Sequence, residues 1–215
     1  TAKALVGAAG LDTPGWIALP QLLFRQLGAH NVLGMINSSL TFPLVVKPSS
    51  GGSALGMSRA QDSSDLRSAM VDAFSYEEHV MLERFVEGRD IAVSVVDLEE
   101  GPIALPPVEV STDDGHYDYE ARYTTDESEY FVPARLSNDE MTDVQAAAIQ
   151  IHELLGLRDL SRIDFIVDDN GSFWFIDANV SPGMTDTSLF PQAAEATGSF
   201  DEICAAIVRY VAGRG

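Results

Sequence analysis

A chain of 215 residues with 46% hydrophobic content can bury one large core or two small ones, and its 33 acidic against 13 basic residues leave a net charge of −20. That charge opposes phosphate backbones and anionic membranes, so neither nucleic acid nor a membrane is an expected partner. The single cysteine, Cys204, excludes an intramolecular disulfide, and its setting beside Ile203 and Ile207 reads as a core thiol. No apolar run approaches the roughly 20 residues that span a bilayer, and no charged start followed by an apolar run marks a signal peptide, so a soluble cytoplasmic protein is expected.

In chain order, residues 1 to 40 read as helix, then a loop through Asp12-Thr13-Pro14-Gly15, then helix again around Gln21 to Leu27. Leu44-Val45-Val46-Lys47 reads as a short buried strand that runs into Pro48-Ser49-Ser50-Gly51-Gly52-Ser53. Asp62 to Phe74 carries apolar residues at 66, 69, 70, 73 and 74, one helical face behind Ser and Asp capping candidates. Val80 to Glu83 and Ile91 to Leu98 read as strands. Ile103 to Val110 reads as another, and Pro106-Pro107 places it at a sheet edge. Residues 111 to 132 form a long polar stretch rich in aromatics, expected to be a functional lid. Ser137-Asn138-Asp139-Glu140 and Ser199-Phe200-Asp201-Glu202 are capping boxes that open two helices.

Between those helices, Arg162 to Asn179 reads as a hairpin about Asn170-Gly171, expected to be a two-residue type I′ turn. Counting outward from a pair of Asp169 with Ser172 sets Asp164 opposite Asp177 and Arg162 opposite Asn179, all on one face. Phe165, Val167, Trp174 and Ile176 then cover the other face. Two carboxylates directly across a ladder repel unless a cation lies between them, and a hard divalent ion such as Mg2+ or Mn2+ takes carboxylate and amide oxygens. The alternative is a solvated face with scattered charges, and for Arg162 a salt bridge to Asp177.

The Gly/Ser loop after Lys47 is a second candidate. Its small residues let backbone N–H groups approach an anion, and Lys47 supplies a point charge for phosphate. The spacing is not that of a P-loop.

Val46-Lys47-Pro48 with the loop to Gly56, Glu83-Arg84-Phe85-Val86-Glu87-Gly88-Arg89-Asp90, Tyr117 to Tyr123, Arg162-Ile163-Asp164 and Asp177 to Thr185 occur in the order found in the D-alanine-D-alanine ligases. The chain resembles that family, of the ATP-grasp superfamily, over nearly its whole length. The resemblance implies an α/β (α+β) fold of two subdomains, approximately 1–98 and 99–215, with mainly antiparallel sheets holding ATP. It implies that Lys3 and Lys47 contact phosphates, with Arg122 among the nucleotide-binding residues. Glu83, the Phe85 backbone and Val86 would meet adenine, and Asp90 the ribose. Asp164, Asp177 and Asn179 would ligate magnesium, Arg162 and the Gly183 backbone would stabilise an oxyanion, and Ser188 with Leu189 would hold the second substrate's carboxylate. Ser53 and Tyr123 would bind each other as the 111–132 lid closes.

The expected reaction is ATP-dependent joining of two D-alanines for peptidoglycan. The expected partners are ATP and amino acids, with a homodimer allowed. Where the family usually has Lys, Glu, Glu and Ser, this chain has Arg122, Asp177, Asp90 and Ala54. The family's N-terminal domain has no counterpart, so the piece alone is expected to bind nucleotide with little turnover. Another ATP-grasp carboxylate–amine ligase, or a nucleotide-binding module without catalysis, are the alternatives.

Overall fold

The computed structural model describes residues 1–50, 55–112 and 128–214. Its contacts divide the chain into two compact units.

The smaller unit, Pro14–Val86, is built on an antiparallel sheet of four strands in the order β1-β4-β2-β3. They are β1 (Trp16–Pro20), β2 (Leu44–Pro48), β3 (Ser58–Ala60) and β4 (His79–Arg84). Side-chain alternation sends Leu44, Val46, Val80 and Leu82 into a core shared with Val32, Leu33 and Ile36 of α3 (Ala29–Ser39) and Leu66, Ala69, Met70 and Ala73 of α4 (Ser63–Tyr76). Leu23 and Phe24 of the short helix α2 (Gln21–Leu27) pack against it. The expected cap of α4 is present, with Asp62 Oδ1 accepting the N–H groups of Ser64 and Asp65 at 2.7 and 3.3 Å. Alternation also places Val45, Lys47, Met81 and Glu83 together on the face away from those helices.

The larger unit joins Thr1–Thr13 to the chain from Glu87 onward. Its strands are β5 (Arg89–Leu98), β6 (Gly101–Ala104), β7 (Val108–Thr112), β8 (Ser128–Phe131), β9 (Leu160–Val167) and β10 (Phe173–Asn179). The sheet runs β10-β9-β5-β7-β8, with β6 also paired to β5, and every pairing is antiparallel. Ile91, Val93 and Val95 of β5 and Ile163, Phe165 and Val167 of β9 bury against Val144, Ala147, Ala148 and Ile151 of α5 (Asn138–Leu154) and Val6 of α1 (Ala2–Ala8). Two further helices, α6 (Leu189–Glu195) and α7 (Phe200–Ala212), follow β10.

Three expectations change. The division expected at 98/99 falls at the end of β5, a strand interior to the six-stranded sheet, and the compact units part at Val86. The segment 103–110 is two strands laid end to end along β5, because Pro106-Pro107 interrupts the ladder; β7 is covered by β8 and is not an edge. The ends of the expected lid, 111–112 and 128–131, are strand, and residues 113–127 lie outside the described residues. Both capping helices form where their sequences place them. Ser137 and Glu140 make the full reciprocal box, while Ser199 Oγ accepts the Glu202 N–H at 3.3 Å. Among the described residues no helix is long and apolar enough to cross a membrane.

Candidate active site

The hairpin of β9 and β10 closes differently from the type I′ expectation, because Asn170 does not adopt positive φ while Gly171 does, at 80°. Asp168 N–H donates to Ser172 O and Gly171 N–H to Asp168 O, both at 2.9 Å, so the loop has three residues, 169–171, with glycine in the left-handed position. The Asp168 carboxylate fastens this turn by accepting the N–H groups of Asn170 and Ser172 at 2.9 and 3.1 Å and the Trp174 Nε1–H at 3.1 Å.

A three-residue loop moves the register by one, and the first pairs are Val167 with Phe173 and Phe165 with Phe175. A register shift between Phe175 and Asp177 then moves it back, so Asp164 opposes Asp177 and Arg162 opposes Asn179. The expected pairs are present through two departures that cancel. The apolar assignment does not survive them: Phe173 and Phe175 pack on the core with Phe165 and Val167, in place of Trp174 and Ile176.

The face opposite that core carries the candidate site. Along β5, Asp90, Ala92 and Ser94 oppose Ile166, Asp164 and Arg162 of β9, so Asp90 shares the face with the hairpin's polar residues. Arg162 is 7% exposed and forks onto Asp164 of its own strand, Nε to Oδ1 at 2.7 Å and Nη2 to Oδ2 at 2.8 Å. Alternation along β9 places Asp164 on the same side as Arg162 and within reach of its guanidinium. Asp177 is exposed, and Asn179 Oδ1 accepts the Ser181 N–H at 3.0 Å.

Among the described residues there is no group of three or more His, Cys, Asp or Glu set to hold a metal ion. Two opposed carboxylates and one amide oxygen nevertheless form a hard donor set, which fits Mg2+ or Mn2+ in chemistry.

Lys3 is buried in α1, and its Nζ donates to the Phe175 carbonyl at 3.0 Å, beside the register shift in β10. After β10, the turn before α6 folds onto Ser188. Ser188 Oγ accepts the Thr185 N–H at 3.2 Å and lies 2.8 Å from Thr185 Oγ1. A Cβ at Gly183 would stand 2.5 Å from Ser188 Oγ, so the close approach of these two requires glycine. Leu189, next in line, is buried.

The smaller unit carries its own charged cluster. Lys47 Nζ lies 2.6 Å from Glu83 Oε1, and Glu83 is only 2% exposed. Register places Arg59 on the same face, since Val45 opposes both Glu83 and Arg59. The Arg59 guanidinium stacks 3.8 Å from the centroid of Phe85, whose N–H donates to Pro43 O at 2.9 Å. Val86 is buried at the end of this segment. Sequence reasoning passed over Arg59, which sits on a strand of three residues. Its one signal was scarcity, as one of 13 basic residues in the chain. Ser53, Ala54, Arg122 and Tyr123 lie outside the described residues.

The two antiparallel sheets, with these charged faces, are those of an ATP-grasp protein. The family described as D-ala D-ala ligase C-terminus matches residues 5–209. The chain belongs to this family. A D-alanine--D-alanine ligase of Nitrosomonas europaea is 35% identical over 207 residues, which cover 96% of this chain and 64% of the relative. The VanG D-Ala:D-Ser ligase of Enterococcus faecalis superposes with a TM-score of 0.83 at 25% identity, over 97% of this chain and 60% of that one. The D-alanine--D-alanine ligase of Bacillus anthracis complexed with ATP gives a TM-score of 0.75 at 25% identity, over 97% and 63%. The chain thus spans about three fifths of the length of these proteins.

Proposed function

We propose that the chain is the nucleotide-binding and catalytic part of a D-alanine-D-alanine ligase, an enzyme that joins two D-alanines at the expense of ATP to make a peptidoglycan precursor. The observation that carries this reading is the polar face of the larger sheet, where Asp90, Arg162, Asp164, Asp177 and Asn179 share one side of three adjacent strands in a chain of this family. In the proposed reaction the γ-phosphoryl group of ATP passes to the carboxylate of the first D-alanine. The amine of the second attacks the resulting acyl phosphate, losing a proton, and inorganic phosphate leaves.

Asp164, Asp177 and Asn179 would hold Mg2+ or Mn2+, which would neutralise the anionic oxygens gathered around the moving phosphoryl group. Asp177, shorter by a methylene than the family's usual Glu, would reach the cation less far. Arg162, oriented by its fork with Asp164, and the Gly183 N–H would meet the oxyanion of the tetrahedral state. Ser188 and the start of α6 at Leu189 would hold the carboxylate of the second amino acid.

In the smaller unit, Lys47 would meet phosphate, and Glu83 with the Phe85–Val86 backbone would receive adenine. Lys3 would contact phosphate and Asp90 the ribose in the larger unit. Arg122, Ser53 and Tyr123 keep the roles the family resemblance gives them. The net charge of −20 supports small-molecule partners over nucleic acid, and dependence on ATP supports a cytoplasmic setting.

A second reading keeps the chemistry and changes the amine, because a structure superposing at TM-score 0.83 is a D-Ala:D-Ser ligase. Phosphate release by the full-length protein with ATP, Mg2+ and D-alanine, alone and against added D-serine, with the product weighed by mass spectrometry, separates the two. Nucleotide binding without release dependent on any D-amino acid would leave only a binding module.

A further inference from the structure

We propose that Thr185 is a positioning residue for the carboxylate of the second substrate, because its N–H and its hydroxyl together make the Ser188 hydroxyl an outward donor; this rests on the ligase reading above. Residues 185–188 form a turn that closes on itself twice. The Ser188 N–H donates to Thr185 O at 2.8 Å, and the Thr185 N–H donates back to Ser188 Oγ at 3.2 Å. A third contact joins the side chains, with Thr185 Oγ1 2.8 Å from Ser188 Oγ. Thr187 Oγ1 lies 3.4 Å from Thr185 Oγ1, longer than the usual hydroxyl hydrogen bond, so Ser188 is the stronger partner. Gly183 closes another side, since a Cβ there would stand 2.5 Å from Ser188 Oγ and 3.2 Å from the Ser188 Cβ.

A serine hydroxyl has one proton to give and two lone pairs that accept. The Thr185 N–H occupies one lone pair of Ser188 Oγ. A carboxylate only accepts, so Ser188 must keep its proton for the substrate, and the 2.8 Å contact then runs from the Thr185 hydroxyl to the second lone pair. With both lone pairs filled, the Ser188 proton has one direction left. A hydroxyl restricted in this way loses less freedom when the substrate arrives, and the gain appears as affinity. Donation from Thr185 also polarises the Ser188 O–H toward an anionic acceptor. Thr185 needs no contact with the substrate to act this way.

The test is steady-state kinetics of the full-length protein with the D-amino acid and ATP varied in turn, beside thermal unfolding. Thr185→Val keeps the branched shape and both backbone hydrogen bonds of the turn and removes only the hydroxyl. It should raise the half-saturating concentration of the D-amino acid about tenfold, with the KM for ATP and the unfolding temperature at the parent's values. Thr185→Ser, which restores the hydroxyl, should recover most of that loss. Parent dependence on the D-amino acid in Thr185→Val would overturn the proposal alone, as would an equal rise in both variants, or a rise matched by a higher KM for ATP or a lower unfolding temperature. A parent protein whose phosphate release depends on no D-amino acid would overturn the ligase reading and this proposal with it.

Discussion

Each sheet holds a cation against a carboxylate on its polar face, and the two pairs are made differently. In the larger sheet Arg162 and Asp164 stand two residues apart on one strand and meet as a bidentate fork of 2.7 and 2.8 Å. In the smaller sheet Lys47 and Glu83 come from neighbouring strands and meet through a single contact of 2.6 Å. An in-strand pair survives any change of register because alternation alone puts both residues on one side. A cross-strand pair exists only while β2 and β4 keep their alignment. The fork also fixes the plane of the guanidinium, as a lysine point charge cannot, and that orientation suits the oxyanion role proposed for Arg162.

The sharpest way to break this comparison is to remove the oriented cation. Arg162→Ala should lower turnover by a factor on the order of a hundred or more, with Mg-ATP affinity little changed. Steady-state kinetics beside calorimetry would check it, and a loss confined to ATP affinity would assign Arg162 to binding instead.

The smaller sheet should respond in stability. Lys47→Met removes the cation 2.6 Å from the buried Glu83 carboxylate and should cost about 2 kcal/mol in urea unfolding, whereas Lys47→Met with Glu83→Leu should recover most of it. An additive double mutant would mean that the two side chains do not depend on each other.

A buried carboxylate away from the polar face extends the series. Glu109 accepts the Arg135 N–H, Nε–H and Nη2–H at 2.9, 3.2 and 2.6 Å, and the Arg135 guanidinium stacks 3.5 Å from the Phe131 ring centroid. Glu109→Gln should cost about 2 kcal/mol, read by the same unfolding curves, with kcat unchanged.

The smallest effect belongs to the cap of α5. Ser137→Ala should cost about 1 kcal/mol. The Ser137 N–H, then its hydroxyl, with Arg89 nearby, hold the Glu140 carboxyl below its usual 4.5. A folded value below the unfolded one stabilises above pH 4.5 and loses that contribution as pH falls through the lower folded value. Glu140→Gln should therefore flatten the acid limb of a stability–pH curve, and an unchanged limb would remove Glu140 from it.

Much of the fold and of the candidate site lay in local pattern. The boxes at Ser137 and Ser199, the Asp62 cap, the alternation in β5 and β9, and Arg162-Ile163-Asp164 are each set by residues within a few positions of one another. Such features depend on spacing and propensity, which sequence carries directly. The hairpin marks the limit. Its pairing of Asp164 with Asp177 could be counted from the sequence, but the three-residue turn and the compensating register shift could not, and so Phe173 and Phe175 took the core positions expected for Trp174 and Ile176.

By itself the sequence determined the mixed α/β character and the starts of α4, α5 and α7, because these follow from short-range periodicity and capping, while the order of the charged motifs carried the family resemblance. Only the tertiary structure decided that β7 is covered by β8, that Arg59 lies over Phe85, that Lys3 reaches the Phe175 carbonyl and that Glu77 holds Ser50. Each of these is a contact between separate elements, chosen by packing and register. No local window of residues contains the free energy that selects them.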